Sequence, residues 1–123
     1  MQSYGKELIL DLFDCDIDKF TRKNIKKYLI ELCDILDMQR EDLHWWDYEG
    51  DAEGYEKAPD HLKGISCIQF IRTSNITIHT IDAHRMILLN IFSCKDYNFK
   101  NVIKFTIKSF NGSRYNSTEI MRG

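Results

Sequence analysis

"GISCIQFIRTSNITIHTIDAHRMILLNIFSC", residues 64–94, decides the fold. It contains three apolar, strand-like runs: GISCIQFIR at 64–72, NITIHTI at 75–81 and MILLNIFSC at 86–94. Each is rich in β-branched or aromatic residues and is bounded by turn formers. Only Thr73-Ser74 separates the first two runs, which predicts a hairpin with a two-residue turn. The DAHR stretch at 82–85 suits a second hairpin. Ser74 on the turn is followed five residues later by His79 inside an apolar strand. Taken alone, the serine fits ordinary turn chemistry, and a lone strand histidine is most often a satisfied, half-buried side chain.

Outward from this core, ELILDLF at 7–13 reads as a strand with Leu8, Leu10 and Leu12 on one face. Asp14 to Asp18 form a polar break, after which Asp18 or Thr21 can cap a helix. In that helix Ile25, Tyr28, Leu29, Leu32, Cys33 and Leu36 recur at helical spacing, and the pattern ends near Met38. LHWWDY at 43–48 is aromatic and strand-like. EGDAEGYEKAPDHLK at 49–63 holds two glycines, the only proline and many acids, and reads as a long acidic loop. A second amphipathic helix places Phe99, Val102, Ile103, Ile107 and Phe110 on its apolar side. NGSRYNSTEIMRG at 111–123 reads as a polar, frayed tail.

The order strand, helix, three or four antiparallel strands, helix predicts an α+β two-layer sandwich, with an antiparallel sheet and two helices packed on one face. MILLNIF is apolar on both of its sides, so the other sheet face needs a cover, and a second copy of the chain is the simple one. With 123 residues, 43% hydrophobic and 29% charged, residues 1–123 suit a single globular domain. A net charge of −2 gives no reason to expect nucleic acid or an anionic membrane as partner. No apolar run reaches membrane-spanning length, and acids interrupt the apolar N-terminal stretch, so no signal peptide is expected. Cys15, Cys33, Cys67 and Cys94 form no C-x-x-C pair, so no metal site is expected. Reduced thiols in a cytoplasmic protein are the default.

The stretch GISCIQFIRTSNITIHT, followed by NIFSC, resembles the core of the bacterial and archaeal S-adenosylmethionine decarboxylase proenzymes. That core reads approximately G-V-S-G-V-x-x-x-x-E-S-H-L-[ST]-I-H-T-W-P-E, then a strand ending D-x-F-T-C-G. Ser66, Ser74, His79 and Cys94 fall in register with it without a gap. The opening YGKELILDLFDCD and both helices also match, so the resemblance covers most of residues 4–110, with the acidic loop as an insertion.

The resemblance implies a small pyruvoyl enzyme that cleaves itself between Thr73 and Ser74. Ser74 Oγ would attack the Thr73 carbonyl, converting amide to ester. Loss of the Ser74 α-proton would then release the ester, and hydrolysis would leave a covalently bound pyruvoyl group and ammonia. That chemistry wants a hydroxyl beside a strained peptide and a nearby proton acceptor, the role the family gives His79. Ser66, eight residues before Ser74 on the partner strand, would bring a second hydroxyl to the same carbonyl. The pyruvoyl carbonyl would form a Schiff base with the amine of a small-molecule substrate and act as electron sink during decarboxylation. Cys94 would return a proton to the product. By their residue pattern alone, all four cysteines read as small buried apolar side chains, and the other three keep that reading.

Several positions depart from the family. His79-Thr80-Ile81-Asp82-Ala83 replaces H-T-W-P-E. The aromatic lost at Ile81 is associated with adenine and the glutamate lost at Ala83 with the ribose hydroxyls. Thr73, Asn75, Asn90 and Lys95 also differ. Asp82 is a possible replacement acceptor. Trp45 and Trp46, with Tyr48, are possible replacement stacking partners, although core or interface packing fits them equally well. The acids Asp47, Glu49, Asp51, Glu53, Glu56 and Asp60 can attract a cationic amino acid, or simply form a solvated surface. Three readings follow. The first is S-adenosylmethionine decarboxylase of the spermidine pathway, as a homodimer of cleaved protomers. The second is a pyruvoyl-dependent arginine or ornithine decarboxylase on the same fold. The third is a non-processing regulatory homologue.

Overall fold

The computed structural model describes residues 3–123. Strands β1 (Gly5–Phe13), β2 (Arg40–Trp46), β3 (Ser66–Ile71), β4 (Ser74–Ile81), β5 (Met86–Ser93) and β6 (Arg114–Arg122) form one sheet in the order β2-β3-β4-β5-β1-β6. Every neighbouring pair is antiparallel. Helices α1 (Arg22–Ile35) and α3 (Phe99–Phe110) cover one face, and a short α2 (Ala52–Lys57) lies in the β2–β3 connection. The architecture is therefore α+β, with the two long helices packed as the periodicity requires.

Alternation along the strands builds the core. Leu8, Leu10 and Leu12 of β1, Ile76 and Ile78 of β4, and Ile87, Leu89 and Ile91 of β5 are buried on the helix side. Ile25, Tyr28, Leu29, Leu32 and Cys33 of α1 meet them together with Val102, Ile103 and Phe110 of α3. A buried hydrogen bond at 2.6 Å joins the Tyr28 and Thr106 hydroxyls across the two helices, and Thr106 Oγ1 donates to Val102 O at 2.7 Å. Neither hydroxyl is thus left unsatisfied by burial. The helices start where their caps allow: Thr21 Oγ1 accepts from the Asn24 amide and Asn98 Oδ1 from the Asn101 amide.

Three expectations need correction. The 111–123 tail is not frayed, since β6 pairs with β1 from Gly5↔Arg122 to Phe13↔Arg114. Its polar sequence reflects an edge strand that the helices do not cover on either face. The acidic stretch at 49–63 is not a bare loop. Asp51 accepts the Gly54 amide at 2.9 Å and caps α2, and a 3-10 turn follows at Asp60–Leu62. The hairpin turn consists of Arg72 and Thr73, because Ser74 already pairs with Ile71.

Among the described residues, no helix covers the second sheet face. Ile68 and Phe70 are exposed there, and Leu88, Asn90 and Phe92 of β5 and Ile9 of β1 are half-buried. Asn90 Nδ2 donates to Glu7 Oε2 at 2.6 Å on this face, and Arg122 holds the other Glu7 oxygen, also at 2.6 Å.

Candidate active site

The β3–β4 turn puts a β-branched residue where the backbone resists one. Thr73 has φ +63°, in the left-handed region that glycine and asparagine tolerate and threonine does not. Such a conformation costs about 1–3 kcal/mol and persists only where its surroundings hold it. Here the Thr73 hydroxyl donates to Arg72 O at 2.6 Å and lies 3.0 Å from Cys94 Sγ. The bond following this strained residue is the Thr73–Ser74 peptide.

Ser74 Oγ donates to Ser93 Oγ at 3.3 Å. The β4–β5 register, which pairs Asn75 with Phe92, extends one step to Ser74 opposite Ser93 and two steps to Thr73 opposite Cys94. Ser93 is fully buried, and its oxygen also accepts the Lys95 amide at 2.9 Å. Lys95 Nζ reaches across to Asp37 Oδ2 at 3.0 Å, which ties the segment after β5 to the end of α1. One end of the sheet therefore gathers Thr73, Ser74, Ser93 and Cys94.

His79 and Ser66 are brought together elsewhere. They pair directly across β3–β4, with His79 Nδ1 2.8 Å from Ser66 Oγ. Both lie on the open face, and the same register row runs Trp46, Ser66, His79, Leu88 across four strands. His79 lies five residues along the strand from Ser74, about 16 Å at ~3.3 Å per residue. Within one chain, then, Ser66 and His79 do not reach the Thr73 carbonyl. A hairpin brings residues together by register, and Ser66 registers with His79, not with Ser74.

A cleft of about 480 Å³ beside the His79–Ser66 pair is walled by Trp46, Tyr48, His61, Leu62, Ile81 and Leu88. Trp46 is 85% exposed and presents its indole to this side. Trp45 faces the helix layer, with the Arg22 guanidinium 5.2 Å from its ring, so packing claims it. Asp82 accepts from Tyr55 Oη at 2.7 Å and from Thr80 Oγ1 at 3.3 Å. The Asp82 carboxylate beside the Tyr55 hydroxyl pushes the phenol up to about 12. Gly64 is needed at the cleft floor, since a Cβ there would overlap the Thr80 carbonyl.

Most of the acidic segment is already engaged. Asp47 takes both Arg22 bonds, at 2.6 and 2.7 Å, and the guanidinium holds its carboxyl below the usual range. Asp51 caps α2, and Glu53 pairs with Lys57 at 2.6 Å. No three His, Cys, Asp or Glu side chains converge as a metal site among the described residues.

Burial separates the four thiols. It pushes Cys15 and Cys33 up to about 11 and Cys67 to about 12, so these stay protonated and inert. Cys94 alone is partly exposed. Ser93 is the residue that sequence reasoning missed. Its signal was a hydroxyl in the place of an apolar residue, fourth in the buried stripe Ile87, Leu89, Ile91.

The sequence profile described as S-adenosylmethionine decarboxylase matches residues 6–123. An S-adenosylmethionine decarboxylase proenzyme of Saccharolobus solfataricus is 25% identical over 120 residues, 96% of this chain and 86% of that one. Proenzymes of the same name from Clostridium botulinum are 27% identical (strain Langeland) and 29% identical (strain Loch Maree), each over all of this chain and 97% of theirs. The crystal structure of the adenosylmethionine decarboxylase of Aquifex aeolicus VF5 superposes with a TM-score of 0.79 at 18% identity, covering 100% of this chain and 93% of that one, a likeness of fold. With the profile spanning nearly the whole chain and the fold in agreement, the protein belongs to the S-adenosylmethionine decarboxylase family.

Proposed function

We propose that the chain is a self-processing, pyruvoyl-dependent S-adenosylmethionine decarboxylase that cleaves itself between Thr73 and Ser74. The observation that carries this reading is the turn itself. A strained Thr73 precedes Ser74, whose hydroxyl is held in place, and the one partly exposed thiol stands opposite. These residues fit a pyruvoyl group at position 74, which supplies an electron sink for decarboxylation when formed. Thr73 places backbone strain beside the bond to be broken, Ser74 supplies the nucleophilic oxygen, and Cys94 stands within reach of residue 73 to hand a proton to the reaction centre. The decarboxylated product would then serve as the aminopropyl donor for spermidine.

The working unit in this reading is a homodimer built through the open sheet faces. Ile68 and Phe70 would be covered there, and His79 with Ser66 of the partner subunit would approach Ser74, which these residues cannot reach within their own chain. His79 would be the proton acceptor in processing.

S-Adenosylmethionine fits better than arginine or ornithine as substrate. The acids that would draw a cationic amino acid are largely occupied: Asp47 by Arg22, Glu53 by Lys57, Asp51 by the α2 amide. Trp46, in the same register row as His79, offers an exposed aromatic face of the kind that stacks on a purine.

The test is the intact mass under denaturing conditions, followed by carbon dioxide release from carboxyl-labelled S-adenosylmethionine, arginine and ornithine. Two fragments meeting at Thr73/Ser74, with release from S-adenosylmethionine alone, are expected. Release only from arginine or ornithine would move the substrate to the amino-acid class. A single unmodified chain would reject self-processing and leave a regulatory homologue.

A further inference from the structure

We infer that Ser93 is a positioning residue for self-cleavage: its buried hydroxyl holds Ser74 Oγ in the attacking orientation. This rests on the self-processing reading above and assigns a role to a residue outside the Ser66, Ser74, His79 and Cys94 set.

Burying a hydroxyl where the stripe calls for an aliphatic side chain is unfavourable unless its hydrogen bonds are made. Ser93 is fully buried, and two groups use its oxygen: the Ser74 hydroxyl at 3.3 Å and the Lys95 amide at 2.9 Å. The Lys95 bond fixes where the Ser93 oxygen lies. The backbone beneath it is fixed too, because Gly5 lets β1 close on it. A Cβ at Gly5 would stand 2.5 Å from Ser93 O and 3.0 Å from Cys94 Cα. A rigid acceptor therefore faces a serine that has just left a tight turn.

The direction of the bond matters. Ser74 donates its proton to Ser93, so the lone pairs of Ser74 Oγ remain available to the Thr73 carbonyl carbon. In the first step the Oγ–C bond forms as the C–N bond breaks, and the hydroxyl proton ends on the freed Ser74 amine. Ser93 takes no part in that exchange of bonds. It restricts the Ser74 rotamer, and a displacement of about 1 Å at such a step can cost ~100-fold in rate.

The experiment follows cleavage by intact mass over time in wild type, Ser93→Ala and the same-shaped pair Ser93→Thr and Ser93→Val. Each is also treated with hydroxylamine, which cuts an ester and leaves an amide. Folding is checked by thermal melting. We expect Ser93→Ala and Ser93→Val to cleave at least about tenfold more slowly than wild type and to resist hydroxylamine. Ser93→Thr, which restores the hydroxyl, is expected to remain within a fewfold of wild type. If Ser93→Ala does not fold, the Thr and Val pair decides, since the two differ only in the hydroxyl. Equal cleavage of Thr and Val variants, or of Ala variant and wild type, overturns the assignment. A hydroxylamine-sensitive ester accumulating in Ser93→Ala would also overturn it, by placing the defect after the first step. A wild-type chain that stays intact defeats the self-processing reading, and this assignment with it.

Discussion

His79 Nδ1 lies 2.8 Å from Ser66 Oγ, yet the same strand carries Ser74 five residues away. The histidine and the serine it is expected to serve share an extended strand and cannot meet within it. If a partner subunit closes the gap, the two roles are separable between chains. His79→Ala alone is expected to stay uncleaved, as is Ser74→Ala alone. Co-expressed in a mixed dimer, the His79→Ala chain should be cut, because the Ser74→Ala partner still offers its histidine. Mass spectrometry distinguishes the chains. An intact His79→Ala chain in a verified mixed dimer rejects action across the interface.

The strain at Thr73 should be measurable as stability. In a Ser74→Ala background, which blocks cleavage, Thr73→Gly relieves about 1–3 kcal/mol of left-handed strain. It also frees the unfolded chain by up to about 1 kcal/mol. The net expectation is a gain of roughly 1 kcal/mol in urea unfolding. In the chain that keeps Ser74, the same change should slow cleavage. An unchanged cleavage rate would show that the strain is not used.

Much of this was legible in the sequence because period-two and helical patterns are written in side-chain type. Leu8, Leu10 and Leu12 named the buried face of β1, and Ile25 to Cys33 named that of α1. What stayed hidden depended on pairing partners far away in the chain. The β6 strand is polar on both faces, and only its pairing to β1 makes it a strand. Ser66 and His79 sit 13 residues apart, and their contact depends on a turn that proved to be Arg72-Thr73. Asp47 read as one acid among many, and its ion pair with Arg22 follows only from where α1 docks.

The thiols offer a test by alkylation. With Cys15 and Cys33 pushed up to about 11 and Cys67 to about 12 by burial, none yields thiolate near pH 8 in the folded state. Iodoacetamide at that pH should label Cys94 alone, and the other three only after unfolding. Cys94→Ala should still be processed, at least in part, but should decarboxylate poorly or release an aberrant product. Normal turnover in that variant would remove Cys94 as proton donor.

The Arg22–Asp47 pair ties the segment before α2 to the start of α1, and its contribution should depend on pH. Arg22 bonds Asp47 in two places, and these bonds hold the carboxyl below its ordinary value of 3.8. A carboxylate depressed on folding adds stability above its unfolded value. That stability is lost as the pH falls through the folded one. Asp47 is nearly buried but Arg22 is 39% exposed, so solvent screens part of the attraction. Arg22→Ala should therefore lower the urea midpoint at pH 7 in an uncleavable Ser74→Ala chain. The gap between the two chains should hold down to about pH 5 and close as the pH falls below 3.8, through the lower value at which folded Asp47 protonates. Urea midpoints across that range give the curve. A gap that persists undiminished under acid conditions would mean that the arginine stabilises through its packing over Trp45 and not through charge.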